Sequence, residues 1–300
     1  MKKLRPDALA AVLCLLIALA LPALALNTGE DKGLSYEALE IYDPDTDKIS
    51  VMNLEEYTSH VMMPVVLQMG REDKLPADAL EALAIVMRTR AMLYLSTGCK
   101  GDFCLCEGHS LLYRKEVGEN VKTAVKETAG LVLTYEGALA PAFLHHSSHL
   151  VTQSAYNGLG REISCLVSVS SPEIAPVYGI FVSREEFEMS MQIKLGFKDY
   201  EFSDTLEREL DSSGRVKSIK STKYFTDGES FAKAFGLPGT HILLEKKEDG
   251  YMITCHGRGS GLGMSVCGAL EMARSGKDYT EILDHYYKGC KVLPVYKIIK

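Results

Sequence analysis

Tryptophan is absent from this 300-residue chain, and no surplus of basic residues offsets its acids. Forty Asp and Glu face 33 Lys and Arg, giving a formal net charge of −7 and a pI near 5.7. With no dominant basic patch, strong nucleic-acid binding is excluded and no nucleic-acid partner is expected. No internal repeat is present, which sets aside repeat architectures. What remains is ordinary for a globular protein: 46% hydrophobic and 24% charged residues, enough apolar surface to build a core in one large domain.

The N-terminus has a different character. Lys2, Lys3 and Arg5 precede an uncharged stretch from Ala8 to Leu26. Pro22 ends the apolar helix, and Ala23-Leu24-Ala25 offers a small-x-small cleavage site. Residues 1–26 are read as a signal peptide or a membrane anchor. Either way the positive flank stays inside and the body is extracytoplasmic, membrane-anchored or secreted.

Seven of the eight cysteines lie beyond that segment: Cys99, Cys104, Cys106, Cys165, Cys255, Cys267 and Cys290. In an exported protein they are candidates for disulfides, and an odd number leaves at least one unpaired within the chain. Cys104 and Cys106, with His109 close behind, also form a candidate zinc site, although their spacing is not that of a zinc ribbon. The run His145-His146-Ser147-Ser148-His149 suggests a metal too. Its His145 and His149 share one face only on a helix, and the segment reads as extended. No cofactor is required by the sequence; zinc stays open at these two places.

The most unusual stretch is His256-Gly257-Arg258-Gly259-Ser260-Gly261-Leu262-Gly263-Met264-Ser265-Val266-Cys267-Gly268-Ala269. Glycine at alternate positions permits positive φ and lets another backbone or a polymer ligand approach closely. The alternation does not fit a dinucleotide fingerprint, and no lysine follows as a P-loop requires. A strand from Gly250 to Cys255 leads in and a helix from Ala269 to Arg274 leads out. Elsewhere the pattern gives a hairpin over Ile41–Val51 with its turn at Asp43–Asp47. A helix capped by Asn53 follows, then a helix after Pro76 with an apolar face through Ala79, Leu80, Leu83, Val86 and Met87. Further elements are a helix over Lys122–Thr128, strands over Gly130–Tyr135 and Pro141–Leu144, and a helix over Glu185–Met191. A turn at Gly214-Arg215-Val216 and a last helix over Tyr279–Tyr287 complete the set. The fold class is α+β, a single mixed domain behind the N-terminal segment. It divides into a linker and hairpin over 27–52, the domain proper over 53–290, and a solvated basic tail over 291–300.

The glycine stretch resembles the signature of the stage II sporulation protein D family, also called the sporulation-protein-D/amidase-enhancer domain, G-x-G-H-G-V-G-M-S-Q-Y-G-A. Gly257, Gly259, Gly261, Gly263, Met264, Ser265, Gly268 and Ala269 stand in register. Ser260 replaces the histidine, Val266 the glutamine and Cys267 the tyrosine. Asn53–Ala91 is similar to the family's first block, with Leu54, Glu55, Glu56, Tyr57, Pro76, Ala79, Leu80, Arg88 and Thr89 aligned. His145, Ser147 and Thr152 match F-H-S-S-x-G-G-x-T. Val167–Pro172 matches K-S-V-S-S-P, near which the family usually has the tryptophan this chain lacks.

The resemblance implies peptidoglycan glycan-strand binding and lytic transglycosylase chemistry, in which a glutamate of E-M-P acts as acid. Three registers place Gln68, Val65 or Met62 at that glutamate. Gln68 fits best, because Val65, Val66 and Met69 come with it. None supplies a carboxylate. The implied protein is a degenerate, glycan-binding member with weak or no activity, partnering a wall hydrolase. The alternatives are an active enzyme using Glu72 or Asp73 as acid, and an extracytoplasmic structural protein. The implied binding residues are Gly257, Arg258, Gly259, Gly261, Gly263, Met264, Ser265, His145 and Ser147.

Overall fold

The computed structural model describes residues 39–43, 48–70, 72–97, 114 and 116–297. Residues 1–26, the hairpin turn at 44–47, and the loop holding Cys99, Cys104, Cys106 and His109 fall outside the described residues. Among the described residues no helix is long and apolar enough to cross a membrane.

The first elements follow from local chemistry. Strands β1 (Leu39–Asp43) and β2 (Lys48–Met52) pair antiparallel. Asn53 then starts α1 (Leu54–Met69), its side chain accepting the Glu56 N–H at 2.8 Å. Pro64 lies inside α1 and cannot donate to the His60 carbonyl four residues back. The Arg114 N–H takes that carbonyl instead, at 3.3 Å.

A single-turn 3-10 helix (Glu72–Lys74) leads to α2 (Ala77–Thr97). The sequence gives α2 one apolar face; the structure buries it all round from Ala82 to Thr89. The reason is its central position, packed against α1, α3 (Glu119–Glu127) and β3 (Leu131–Tyr135), and against two helices from the far end of the chain. Arg88 is therefore fully buried. Glu55 of α1 meets it at 2.5 Å, and the guanidinium also donates to the carbonyls of Val125 and Leu131. Burial pushes the Arg88 guanidinium down, and Glu55 opposes the shift. Two residues of the family's first block are thus explained as a structural ion pair.

Next come β4 (Ala138–Leu139), β5 (Leu144–His145) and α4 (Ala155–Leu159). The strand expected over Pro141–Leu144 is shorter and later, because only Leu144 and His145 find a partner, β12 (Met264–Ser265), in parallel. Helices α7 (Val266–Arg274) and α8 (Tyr279–Tyr286) follow. The segment read as a solvated tail then supplies β13 (Lys291–Pro294), which pairs antiparallel with β3, and Val295 behind it is fully buried. That correction has a plain cause: Val292, Leu293 and Val295 complete an apolar edge that β3 leaves open.

Between α4 and β12 lies a run with its own core. It holds β6 (Val177–Ser183), α5 (Arg184–Met189), β7 (Glu207–Leu210), β8 (Val216–Lys220), β9 (Phe225–Asp227), α6 (Gly228–Ala234), β10 (Ile242–Lys246) and β11 (Gly250–His256). The helix expected over Glu185–Met191 is split, α5 passing into a π-turn over Ser190–Lys194. Two three-stranded sheets, β10-β11-β6 and β7-β8-β9, enclose Phe187, Tyr200, Ile219, Phe231, Tyr251 and Ile253. The first core draws only on residues before β6 and after β11.

Candidate functional site

Each of the four alternating glycines adopts positive φ, from +67° at Gly263 to +96° at Gly259. The resulting loop is not open on the side where side chains would stand. A Cβ would lie 2.6 Å from the Ser147 carbonyl oxygen at Gly257 and 3.0 Å from the His145 Cβ at Gly259. It would lie 2.5 Å from the Arg215 guanidinium at Gly261 and 1.9 Å from the Phe143 carbonyl oxygen at Gly263. The close backbone approach that glycine permits is made by the chain itself, along Phe143–Ser147. Of the two partners that alternate glycines admit, another backbone or a polymer ligand, the contacts beside these Cβ positions are made by the chain itself.

Hydrogen bonds fasten the two segments. Ser147 and Arg258 exchange backbone bonds at 3.1 and 3.0 Å. Met264 N–H reaches the Phe143 carbonyl at 3.1 Å, and Cys267 N–H the His146 carbonyl at 3.0 Å. His145 is buried, its Nδ1 3.0 Å from the Leu262 carbonyl and its Nε2 2.6 Å from the Ser148 hydroxyl. Because a carbonyl only accepts, Nδ1 carries the proton and Nε2 accepts from Ser148. Burial pushes this imidazole down to about 3. Ser265 caps α7, accepting the Gly268 N–H at 3.1 Å. Met264, Ser265 and Ser147 are all buried with His145, so these four residues of the implied binding set hold the loop rather than face a ligand.

Two residues that the sequence reading passed over support this loop. Glu173, buried in the turn after Ser171-Pro172, accepts the Ser265 hydroxyl at 2.5 Å and the Ser148 N–H at 2.6 Å through Oε1. Its Oε2 has no hydrogen-bond partner among the described residues. Arg215, read only as part of a turn, is buried under Gly261 and donates to the Gly259 carbonyl at 3.2 Å. For Glu173 the available signal was a carboxylate directly after Ser171-Pro172; for Arg215 it was only a place in the Gly214-Arg215-Val216 turn.

What faces outward is different. His146 is half-buried, with its Nδ1 3.7 Å from the Cys267 sulfur and 3.1 Å from the Ser147 hydroxyl. Burial and the nearby Arg258 push its imidazole down, while a hydrogen bond with the Gln68 backbone and the Glu173 charge oppose the shift. Gln68, Arg258 and Ser260 are exposed. The three registers for the missing glutamate now separate physically: Met62 is fully buried, Val65 is half-buried, and Gln68 is exposed at the end of α1, where its backbone meets His146. Asp73 is exposed on the short helix after α1; for Glu72 only the backbone is described.

The zinc ligands proposed at His145 and His149 do not come together. Residues of an extended segment diverge, and both His145 nitrogens are engaged as described. His149 instead packs against His241 and His256, ring centroids 4.6 and 4.5 Å apart. Among the described residues no group of three or more His, Cys, Asp or Glu is placed to hold a metal ion. Cys104 and Cys106 lie outside them.

Residues 42–135 match the family model described as Stage II sporulation protein. The chain is 27% identical to the stage II sporulation protein D of Bacillus amyloliquefaciens, over 85% of this chain and 78% of that protein. With the protein of the same name from Bacillus subtilis it shares 24% identity, over 85% and 78% respectively. An uncharacterized protein of Brachyspira hyodysenteriae is 25% identical over 89% of this chain and 75% of its own length. With the glycine signature folded against Phe143–Ser147, the chain is thus similar over most of its length to the stage II sporulation protein D of two Bacillus species.

Proposed function

We propose that this protein binds peptidoglycan glycan strands and takes part in their remodelling, with little or no cleavage of its own. Similarity to the stage II sporulation proteins D supports a sporulation-related cell-wall function; the finer reading rests on one observation. Gln68, at the family's acid position, is exposed at the end of α1 with its backbone at His146, and it carries no titratable group. Breaking a glycosidic bond by transglycosylation requires protonation of the leaving oxygen, and loss of general acid catalysis costs about 10²–10⁴ in rate. The Gln68 amide can donate to and accept from sugar hydroxyls. The Arg258 guanidinium adds donors in a planar fork. Ser260 offers a hydroxyl where the family has an imidazole. Such a surface recognises a polyhydroxylated strand and does not protonate it. In this reading the N-terminal segment holds the protein at the membrane, the domain is extracytoplasmic, and an active wall hydrolase is the partner.

A second reading is favoured by Glu173, a buried carboxylate held directly on the signature Ser265. Glu173 stands against the signature loop, whereas Asp73 is exposed on the short helix after α1. In this reading the chain cleaves, and Glu173 is the carboxyl group nearest the signature residues.

One assay decides between them. Peptide-free glycan strands are incubated with the chain, with Gln68→Glu and with Glu173→Gln, and anhydro-ended products are sought by mass spectrometry. The expected result is retention of strands by the unmodified chain without product, and product from Gln68→Glu. Product from the unmodified chain that disappears in Glu173→Gln establishes the second reading.

A further inference from the structure

The sequence leaves the pairing of seven cysteines open; the fold brings two of them face to face. Cys165 stands in a tight turn in which Leu166 N–H reaches the Ile163 carbonyl at 2.8 Å. Cys290 closes a second turn, its N–H 3.1 Å from the Tyr287 carbonyl, with Gly289 at φ +73°. The two turns are stitched together by Lys288 N–H donating to the carbonyl of Cys165 itself, at 3.1 Å. Both residues sit on the first core, Cys165 inside it and Cys290 packed against it. Their side chains interact directly, and both are thiols in this structure. Two turns, each pinned by its own hydrogen bond and joined by a third, bring the two thiols side by side.

The other described cysteines are engaged elsewhere. The Cys255 thiol is buried and donates to the Gly239 carbonyl at 3.3 Å, and Cys267 lies against His146.

We propose that Cys165 and Cys290 are a disulfide site, oxidised by thiol–disulfide exchange with a disulfide-bearing oxidant. Cys290, the partly exposed member, attacks one sulfur of the oxidant. That S–S bond breaks, a mixed disulfide forms, and one thiolate of the oxidant leaves. The Cys165 thiolate then attacks the Cys290 sulfur, and the second thiolate leaves. The two cysteines lose two protons and two electrons, and the oxidant's disulfide is reduced to two thiols. The neighbouring Cys165 sulfur and burial push the Cys290 thiol up, so the first attack sets the rate of oxidation. The bond closes a loop of about 125 residues that contains the whole second core and the glycine signature. It thereby fastens the C-terminal strand to the middle of the chain.

The test uses the full chain, purified with detergent present, and equilibrated in a glutathione buffer stepped from reduced to oxidised. Non-reducing peptide mapping is expected to show the 165-containing and 290-containing peptides linked, at a mass lower by two hydrogens. The melting temperature should rise on oxidation by on the order of 10 °C. Cys290→Ser should abolish both the link and the reductant-sensitive part of that shift. Because the peptide map and the melt are read first on the unmodified chain, a poorly folding variant does not weaken the test. The proposal is overturned if both cysteines stay alkylatable in fully oxidised buffer, or if either is found linked to Cys267 or to the 99–106 cluster instead.

Discussion

His145 shows how one side chain ties the signature loop to the pH of its surroundings. Its burial, with Nδ1 on the Leu262 carbonyl and Nε2 on Ser148, disfavours the charged form and places its pKa at about 3. The unfolded chain takes up that proton at about 6.5. Below that value the unfolded state binds more protons, so stability falls with falling pH and rises with rising pH. The window runs from about 6.5 down to about 3, and this one group costs about 2 kcal/mol between pH 7 and pH 5. His241, pushed down to about 4 by burial and by the neighbouring His149 and Arg215, acts in the same direction. Urea midpoints at pH 7 and pH 5 should therefore differ more in the unmodified chain than in His145→Asn. An equal pH dependence in both would show that His145 is not the group responsible. The sequence flagged His145 for a metal because histidine spacing is visible in a sequence and burial is not. Nothing local distinguishes an imidazole satisfied by Leu262, 117 positions away, from one waiting for an ion.

At the scale of elements, the glycine stretch was legible as a backbone demanding positive φ, but not what would fill the space beside it. Alternate glycines say that something comes close; only the pairing of β5 with β12 says that it is Phe143–Ser147. Gly263 carries the sharpest version of the demand. A Cβ there meets the Phe143 carbonyl oxygen at 1.9 Å, on a backbone at φ +67°. Backbone cannot turn aside as a long side chain can, so Gly263→Ala is expected to destabilise by about 2–4 kcal/mol. Gly276, after α7, has a similar φ of +89° and open space around its Cβ position. Gly276→Ala should cost only about 1 kcal/mol, the conformational part alone. Denaturant unfolding of the two variants separates strain from collision, and equal losses would sink the claim that the loop is packed against β5. The helices divide in the same way. The cap of α1 was readable from Asn53 and Glu56 because those residues act within one turn. The full burial of α2 was not, because the covering helices α7 and α8 lie at the other end of the chain.

The whole molecule has an arrangement that no local pattern announces: one core interrupted by another. Every residue of the second core lies between Phe187 and Ile253, and every residue of the first lies outside that interval. The run enters and leaves at one place, since Val177 of β6 pairs with His256 of β11, and Gly257 N–H reaches the Pro176 carbonyl at 2.9 Å. Periodicity over this region gave strands and helices singly, as its alternating short elements do, and without the pairing of its first strand with its last the insertion stayed hidden. Polar contacts form the seam: Gln153 with Asp211 at 2.7 Å, Asn157 with Ser212 at 2.8 Å, and Arg215 beneath the glycine loop. Seams of this kind contribute less than a shared apolar core. Replacing residues 177–256 by a short Gly-Ser turn should therefore leave a soluble chain with a cooperative melt and its helical signal intact. It should be less stable chiefly through the loss of Arg215 from under the loop. Residues 177–256 alone, with twelve buried core side chains, should fold as a small unit. Circular dichroism melts of both pieces test this. If neither melts cooperatively, the two cores are one folding unit, and the signature loop depends on the inserted run for more than the contacts of Arg215.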